Sequence, residues 1–599
     1  MANRMDGQRE SSRGTTSRSR SSVGGSSRSR GNGRRDRSSG SNPSGFAAHL
    51  SQGRLGTILL IFCALALIII GRLVWLQLID AQSNLSRGGS ERSVTVDIEP
   101  RRGTIYDRNG VVLATTVDAV NVYCHPHVVS DSQVATLADT LAQVFGGEAG
   151  DYRSKIEQDT NFVYLRKSAD TDAADKIKAL NIEGVGFENT SKRVYPCGST
   201  ASQIIGVLNS DGEALTGLEL QYDDILGGEA GQKTTEYSKE GVPVPGTTSV
   251  SAEVVNGKDI VLSVDVEMQQ HLESTLLLRV KDIQAQGGFG VVMDAATGEI
   301  YACASAPTFD ITDLTKVEEG ATNLSGISAT FEPGSIFKPV TMLAALQAGT
   351  TQAGRSYDCP ASITVGEYVI SDSHDREDQM MDTTTIMAQS SNVGMSIIAR
   401  DLTFEKLYDY IKQYQLSDKT GIDYPGEVGG YLSSWNNWSV VQGYNISFGQ
   451  GLTVTPLSMT RFYGAIANGG VACTPHFLMD VPSDGEDKTY ATSEIVTDKS
   501  ALASLTGMLE AVVSEGTATD TQIDGYTVAG KTGTAEVADE AGGYKSGIYD
   551  ISFVGFLPGA STNLVCFVGA TDVPGERQTV PAFRDIMTFA IDRYNIIQK

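Results

Sequence analysis

Histidine, cysteine and tryptophan are all scarce in this 599-residue chain, at six, seven and three. The histidines are scattered, and the one close pair, His125 and His127, flanks Pro126 as a loop would rather than as a ligand pair. No metal site is expected from such spacing. The cysteines, at 63, 124, 197, 303, 359, 473 and 566, show no CxxC spacing. That excludes a zinc-ribbon pattern and a disulfide framework, though a single bridge stays open by count. No cofactor fingerprint and no internal repeat is present. Basic residues are outnumbered, 47 Lys and Arg against 72 Asp and Glu, for a net charge of −25. An acidic chain argues against nucleic acid as partner.

The basic residues that exist are unevenly placed. Residues 1–54 hold 11 Arg against Asp6, Glu10 and Asp36, a net +8, which leaves −33 for the rest. Residues 1–53 are Ser, Gly and Arg with almost nothing apolar. Such a segment cannot offset its ordering entropy and is expected to be a disordered basic tail. An uncharged run follows from Leu55 to Gly71, is interrupted by Arg72 and continues through Leu73 to Leu76. Roughly 20 apolar residues span a bilayer core, an arginine at the edge can snorkel, and Trp75 suits an interface. Residues 54–78 are therefore expected to form a single membrane anchor. No small-x-small cleavage site follows it closely. The arginine-rich side places the N-terminus in the cytoplasm and residues 80–599 outside the cell membrane.

Two regions are expected beyond the anchor. In residues 79–255, short apolar runs alternate with charged stretches; Ser132 to Phe145 has helical spacing with Ser130 or Asp131 as cap. Val242 to Gly257, rich in Pro, Ser and Thr, reads as a connection or edge strand. Residues 256–599 are more regular. Asp259 to Val280 reads as a strand running into an amphipathic helix, and Val291–Asp294 with Ile300–Ala304 as a hairpin. "YTVAGKTGTAEV", "ISFVGFLPG" and "NLVCFVGATDV" read as three consecutive strands before a closing helix. Strands at both ends and helices between them predict an α/β fold of the α+β kind, an antiparallel sheet with a helical insert.

The chemistry is concentrated in three short stretches. "FEPGSIFKPVT" places Ser335 three residues before Lys338, with no histidine near it along the chain. In a helix those two share a face. Pro333 and Gly334 break the preceding chain, and Pro339 is tolerated in a first turn whose N–H groups are unpaired anyway. Ser335 would sit at the positive end of the helix, which favours a developing anion. A lysine near its ordinary pKa of about 10.4 is a poor base; burial and a second cation can free its amine. "AQSSNVG" supplies Ser390 and Asn392, able to aim a hydroxyl and an amide into one cleft. "AGKTGTAE" supplies Lys531, Thr532, Gly533 and Thr534 in a strand, with the threonines on one face and Lys531 and Gly533 on the other. A glycine there fits a close backbone approach. Each stretch alone is weak: a surface helix turn, a polar turn, a charged edge strand.

Together, in this order and 55 and 141 residues apart, they match the Ser-x-x-Lys, Ser-x-Asn and Lys-Thr-Gly set of penicillin-binding proteins and serine β-lactamases. The chain most resembles the class B, monofunctional penicillin-binding proteins. "RRGTIYDRNGVVLA", "RVYPCGSTASQIIG" and "GLELQYDDILGGEAG" are similar to stretches of their pedestal (dimerisation-like) domain, and "SFGQGLTVTPLSM" to a segment before the Lys-Thr-Gly strand. The resemblance implies a serine D,D-transpeptidase that cross-links peptidoglycan stem peptides ending in D-Ala-D-Ala and is acylated by β-lactams. It implies Ser335 as nucleophile, Lys338 as base, and Ser390, Asn392 and Lys531 as proton relay, amide ligand and second cation. Thr532, Gly533 and Thr534 would bind the substrate, with the N–H groups of Ser335 and Thr534 as oxyanion hole. It implies no cofactor, and a multispanning glycan polymerase and other cell-wall proteins as partners. A division role is favoured over elongation. A D,D-carboxypeptidase or a β-lactam-binding sensor would share the serine site.

Overall fold

Strands from the two ends of residues 256–599 close into one sheet. The computed structural model describes residues 47–79, 93–236, 244–485, 488–539, 543–575 and 580–599. The five strands run in the order Ile300–Ala306, Gly287–Asp294, Leu564–Pro574, Tyr544–Phe556 and Ala529–Ala538, each antiparallel to its neighbour. The hairpin and the three late strands are those the sequence predicts. The central strand, Leu564–Pro574, is buried over its first seven residues, because helices cover both faces. On one side Gly288 and Gly290 lie under Leu272 and Leu276 of the helix Val266–Asp282. On the other, Met293 meets Gly464 of the helix Pro456–Ala467. The closing helix Val580–Tyr594 packs beside Val266–Asp282. That helix starts where the strand Ile260–Leu262 ends, capped by Asp265, whose carboxylate accepts from the N–H groups of Glu267 and Met268.

The pedestal has its own core around Val122, Leu137, Leu141, Leu165 and Ile177. Its long strand Val112–Cys124 pairs with Val163–Asp170 and Val185–Val194, and the predicted helix runs from Asp131 to Phe145 with Ser130 as N-cap residue. The Ser130 hydroxyl meets Ser132 rather than the helix backbone. The Val242–Gly257 stretch contributes Ser249–Ala252, the fully exposed edge of a three-stranded sheet. One short strand, Ile105–Tyr106, joins pedestal to catalytic part: it pairs with Val112–Cys124 on one side and with Ile260–Leu262 on the other.

The three pedestal stretches that resemble the family converge near this junction. Asp107 is fully buried and accepts from the N–H groups of Asn109 and Val111, both at 2.8 Å, and of Val266 at 3.2 Å. The Arg108 guanidinium lies 3.9 Å from the centre of the Tyr301 ring. Glu219, fully buried, is held by both Arg102 and Arg193, whose side chains are 10% and 6% exposed. All seven cysteines are free thiols, so the one bridge that counting left open does not form.

A helix runs Ala47–Val74 and a wider turn, Trp75–Ile79, follows. Its stretch Gly56–Gln77, of mean hydropathy 2.7 and buried nowhere, is long and apolar enough to cross a membrane. The tail expected to end at residue 53 is already helical from Ala47, since Ala47, Ala48 and Leu50 carry the helix back beyond the apolar run. The rest of that tail, residues 1–46, lies outside the described residues.

The Glu219 pairing makes a clear expectation. Glu219→Ala leaves the buried Arg193 guanidinium without its counter-charge and Arg102 with only the half-exposed Asp223, and should destabilise the folded part after residue 93 by about 3–5 kcal/mol. Chemical denaturation reads this directly, with Glu157→Ala, in an exposed pair, as control near zero.

Candidate active site

The serine and lysine of "FEPGSIFKPVT" do not lie on a surface turn. Gly334–Phe337 forms a tight 3-10 turn that runs straight into the α-helix Lys338–Gln347. Every residue of that helix from Lys338 to Leu346 is buried. Pro339 occupies the first turn, as the sequence predicts. Gly334 is required by two constraints. Its φ is +55°, and a Cβ there would come within 2.8 Å of the Thr534 carbonyl oxygen. The turn is pinned further by its Gly334 N–H donating to Gly449 O at 2.9 Å and by the Tyr463 hydroxyl donating to Ile336 O at 2.9 Å.

Lys338 is fully buried, and its ammonium donates to the carbonyl oxygen of Ser390 and, at 3.0 Å, to the Ser390 hydroxyl. The spacing suggested a direct pairing of Ser335 with Lys338 across one α-turn. The first turn is 3-10, in which positions i and i+3 also share a side, and the hydrogen bonds of the lysine run to Ser390 of the second motif. Ser390 links the helix Thr383–Ala388 to the helix Asn392–Leu402 and adopts a left-handed backbone with φ +56°. Non-glycine residues rarely occupy this region, and when they do the surroundings hold them there.

Lys531 reaches the same hydroxyl from the opposite side, at 3.0 Å. Its strand is the open edge of the sheet, but the lysine is fully buried and is no surface decoration. The alternation holds: Lys531 and Gly533 are buried, Thr532 is half-buried and Thr534 exposed. Gly533 lies flat against the Gly334–Phe337 turn; a Cβ there would meet Ser552 Oγ at 2.4 Å, Ile336 Cγ2 at 3.0 Å and Pro333 O at 3.1 Å. Thr532, Gly533 and Thr534 share a cleft of about 520 Å³ with Ser335, Ser390 and Asn392. The three motifs thus meet in one place.

Burial depresses both lysines. Lys338 falls to about 7, opposed by the Asp372 carboxylate nearby. Lys531 falls well below its ordinary value through burial and then through the charge of Lys338. The sequence named burial and a second cation as what could free Lys338; burial is the larger cause.

Two contributors escaped the sequence reading. The Thr517 hydroxyl bonds that of Thr532 at 2.9 Å and faces the cleft. Nothing in "SEGTA" marks it. Asp372 ends a hairpin over the cleft and accepts from the Ser391 hydroxyl and the Val393 N–H. Ser391 in turn caps the helix Asn392–Leu402, a role legible from a serine just before a helix start. Among the described residues no group of three or more His, Cys, Asp or Glu is placed to hold a metal ion.

Residues 288–588 match the family described as the penicillin binding protein transpeptidase domain, and residues 97–262 match the penicillin-binding protein dimerisation domain. The chain is 29% identical over 572 residues to penicillin-binding protein PbpB of Mycolicibacterium smegmatis, covering 88% of each. It is 29% identical to the peptidoglycan D,D-transpeptidase FtsI of Escherichia coli, covering 81% of each. Among solved structures, penicillin binding protein 3 of Mycobacterium tuberculosis, complexed with aztreonam, superposes with a TM-score of 0.65 at 26% identity, over 84% of this chain and 97% of that one.

Gly533→Ala should push the strand and the Gly334–Phe337 turn apart. Overpacking of about 1–3 kcal/mol in that contact corresponds to roughly a tenfold loss or more in the rate at which a fluorescent penicillin acylates the protein. Gly507→Ala, at a helix position where a Cβ meets nothing within 4 Å, is the control and should leave the rate unchanged.

Proposed function

Because the chain belongs to the class B penicillin-binding proteins, we propose that it is a peptidoglycan D,D-transpeptidase working through an ester on Ser335, in septal wall synthesis. The observation that carries this reading is the meeting of Lys338 and Lys531 on the Ser390 hydroxyl, at 3.0 Å each, in the wall of the cleft that Ser335 opens into.

The steps follow from the placement. A stem peptide lies along the open strand edge, its terminal carboxylate against the Thr532 and Thr534 hydroxyls, with Thr517 fixing the first of them. Ser335 Oγ attacks the carbonyl between the two terminal D-alanines as the neutral amine of Lys338 takes its proton. The oxyanion that forms is held by the N–H groups of Ser335 and Thr534. The C–N bond breaks, and D-alanine leaves with a proton delivered through the lysine–Ser390 relay. An amine from a second stem peptide attacks the ester, a new amide forms, and the proton it sheds returns to Ser335. Asn392 holds the substrate amide. Lys531 keeps a positive charge close to the carboxylate whenever the shared proton rests on it.

Three further assignments belong to the same reading. The boundaries are a tail over 1–53, an anchor over 54–78, a pedestal over 79–255 and a transpeptidase domain over 256–599. The arginine-rich end faces the cytoplasm and the cleft faces the wall. A multispanning glycan polymerase supplies the strands that this chain cross-links, contacted through anchor and pedestal.

A fluorescent penicillin should label the wild-type protein covalently and fail to label Ser335→Ala; an unlabelled wild type sinks the reading. Acylation should also titrate. The base is the neutral amine of Lys338, so the rate should be full above about 7 and fall as pH drops through that value. A rate flat from pH 5 to 9 would remove Lys338 from the role of base.

A further inference from the structure

Two consecutive residues of one hairpin grip the second motif from outside. The strands Ser362–Val365 and Tyr368–Ser371 pair and lie along the cleft rim, where Val369, Ile370 and Ser371 line it. The Ser371 carbonyl oxygen accepts from Asn392 Nδ2 at 3.0 Å. Asp372 follows. Its carboxylate accepts from the Ser391 hydroxyl at 3.0 and 2.9 Å and from the Val393 N–H at 3.0 Å. Arg376 closes the arrangement with its Nε donating to Asp372 at 2.6 Å, while its remaining N–H groups hold the carbonyls of Cys359, Pro360 and Glu377. The Asp372 side chain is only 9% exposed.

We propose that Asp372 is a positioning residue: it locks the Ser390–Asn392 turn against Lys338 and Lys531, and its negative charge sets how many protons that pair of amines carries. The inference rests on the reading of Lys338 as base. Geometry supplies the first half. Ser390 stands in a left-handed conformation and has to be held, and Asp372 holds the next residue by its side chain and the one after Asn392 by its backbone. Charge supplies the second. The groups facing Lys338 are Asp372 from the hairpin and Lys531 from the edge strand, the first favouring its protonated form and the second, when charged, opposing it. Those facing Asp372 are Lys338, Arg376 and the thiol of Cys359, with His374 on the adjacent cleft wall. Arg376 partly neutralises the carboxylate, so the field at the lysines is graded rather than full. A buried amine with no carboxylate near it would lose its proton so readily that it became a weak base; one fully paired would keep its proton at neutral pH. Asp372, tempered by Arg376, sets the intermediate case.

The test is the pH dependence of fluorescent-penicillin acylation by the full chain in detergent. Asp372→Asn keeps a similar shape and removes the charge. The acid limb of its rate profile should move down by about 1 pH unit, since the proton leaves Lys338 more easily. Asp372→Glu, keeping the charge, should leave the midpoint near wild type even where the rate falls. Arg376→Gln strips the tempering charge and should move the midpoint the opposite way, upward. A purely structural Asp372 would lower the rate in Asp372→Asn and leave the midpoint in place; that result, or an upward shift, overturns the proposal. Should Asp372→Asn fail to fold, Arg376→Gln decides it: an upward midpoint supports the inference, and an unmoved or lowered one overturns it. A wild type that is not acylated at all instead overturns the reading beneath it, so the two failures are distinct.

Discussion

Two amines buried around one hydroxyl are the constraint that organises this molecule. Lys338 and Lys531 each lie 3.0 Å from Ser390 Oγ, and both are out of water. Two full positive charges at that separation, without solvent, repel strongly, so the pair holds fewer protons than two free lysines would. The protons then belong to the pair rather than to either residue. That suits a reaction that needs a neutral amine beside the nucleophile and a positive charge near a substrate carboxylate. A single proton moving between two amines across a serine hydroxyl provides both without a histidine.

Burying two lysines demands a scaffold that admits no water, and much of the catalytic region serves this end. The nucleophile helix is buried from Lys338 to Leu346, and the central sheet is covered on both faces. The Lys-Thr-Gly strand has to stay at the edge, with one side free for an extended peptide, while its inward residues seal the site. Gly533 and Gly334 allow that seal, since a Cβ on either would strike the backbone of the other's segment. The edge strand, ordinarily a liability, is here the surface on which a peptide substrate can be paired.

The sequence made the sheet legible because its strands are short apolar runs set off by glycine, proline and polar turns, and local pattern is what sequence shows best. It made the three motifs legible because their residue types carry chemistry and recur in a fixed order. It did not show that Lys338 bonds Ser390, because that contact joins residues 52 apart in the chain and no local spacing rule carries it. It did not show Asp372 either. "ISDSHDRED" is a polar stretch with several acids, and only the fold singles out the one that meets Ser391 and Val393. The sequence named both burial and a second cation as able to free Lys338, and the fold shows burial to be the larger of the two.

The left-handed Ser390 ties these observations together. A serine in that region carries a strain of the order of 1–3 kcal/mol and relaxes unless its neighbours over-determine it. Here it is fixed from both sides. Lys338 holds its carbonyl and hydroxyl and Lys531 its hydroxyl, while Asp372 and Ser371 hold Ser391, Val393 and Asn392. The same contacts that impose the strain aim the hydroxyl between the amines. Relaxing the turn would therefore separate the lysines from their shared oxygen and end the proton sharing at once. Geometry and protonation in this site are one property, and the hairpin that ends at Asp372, though it contributes no nucleophile and no base, is structurally part of the catalytic centre.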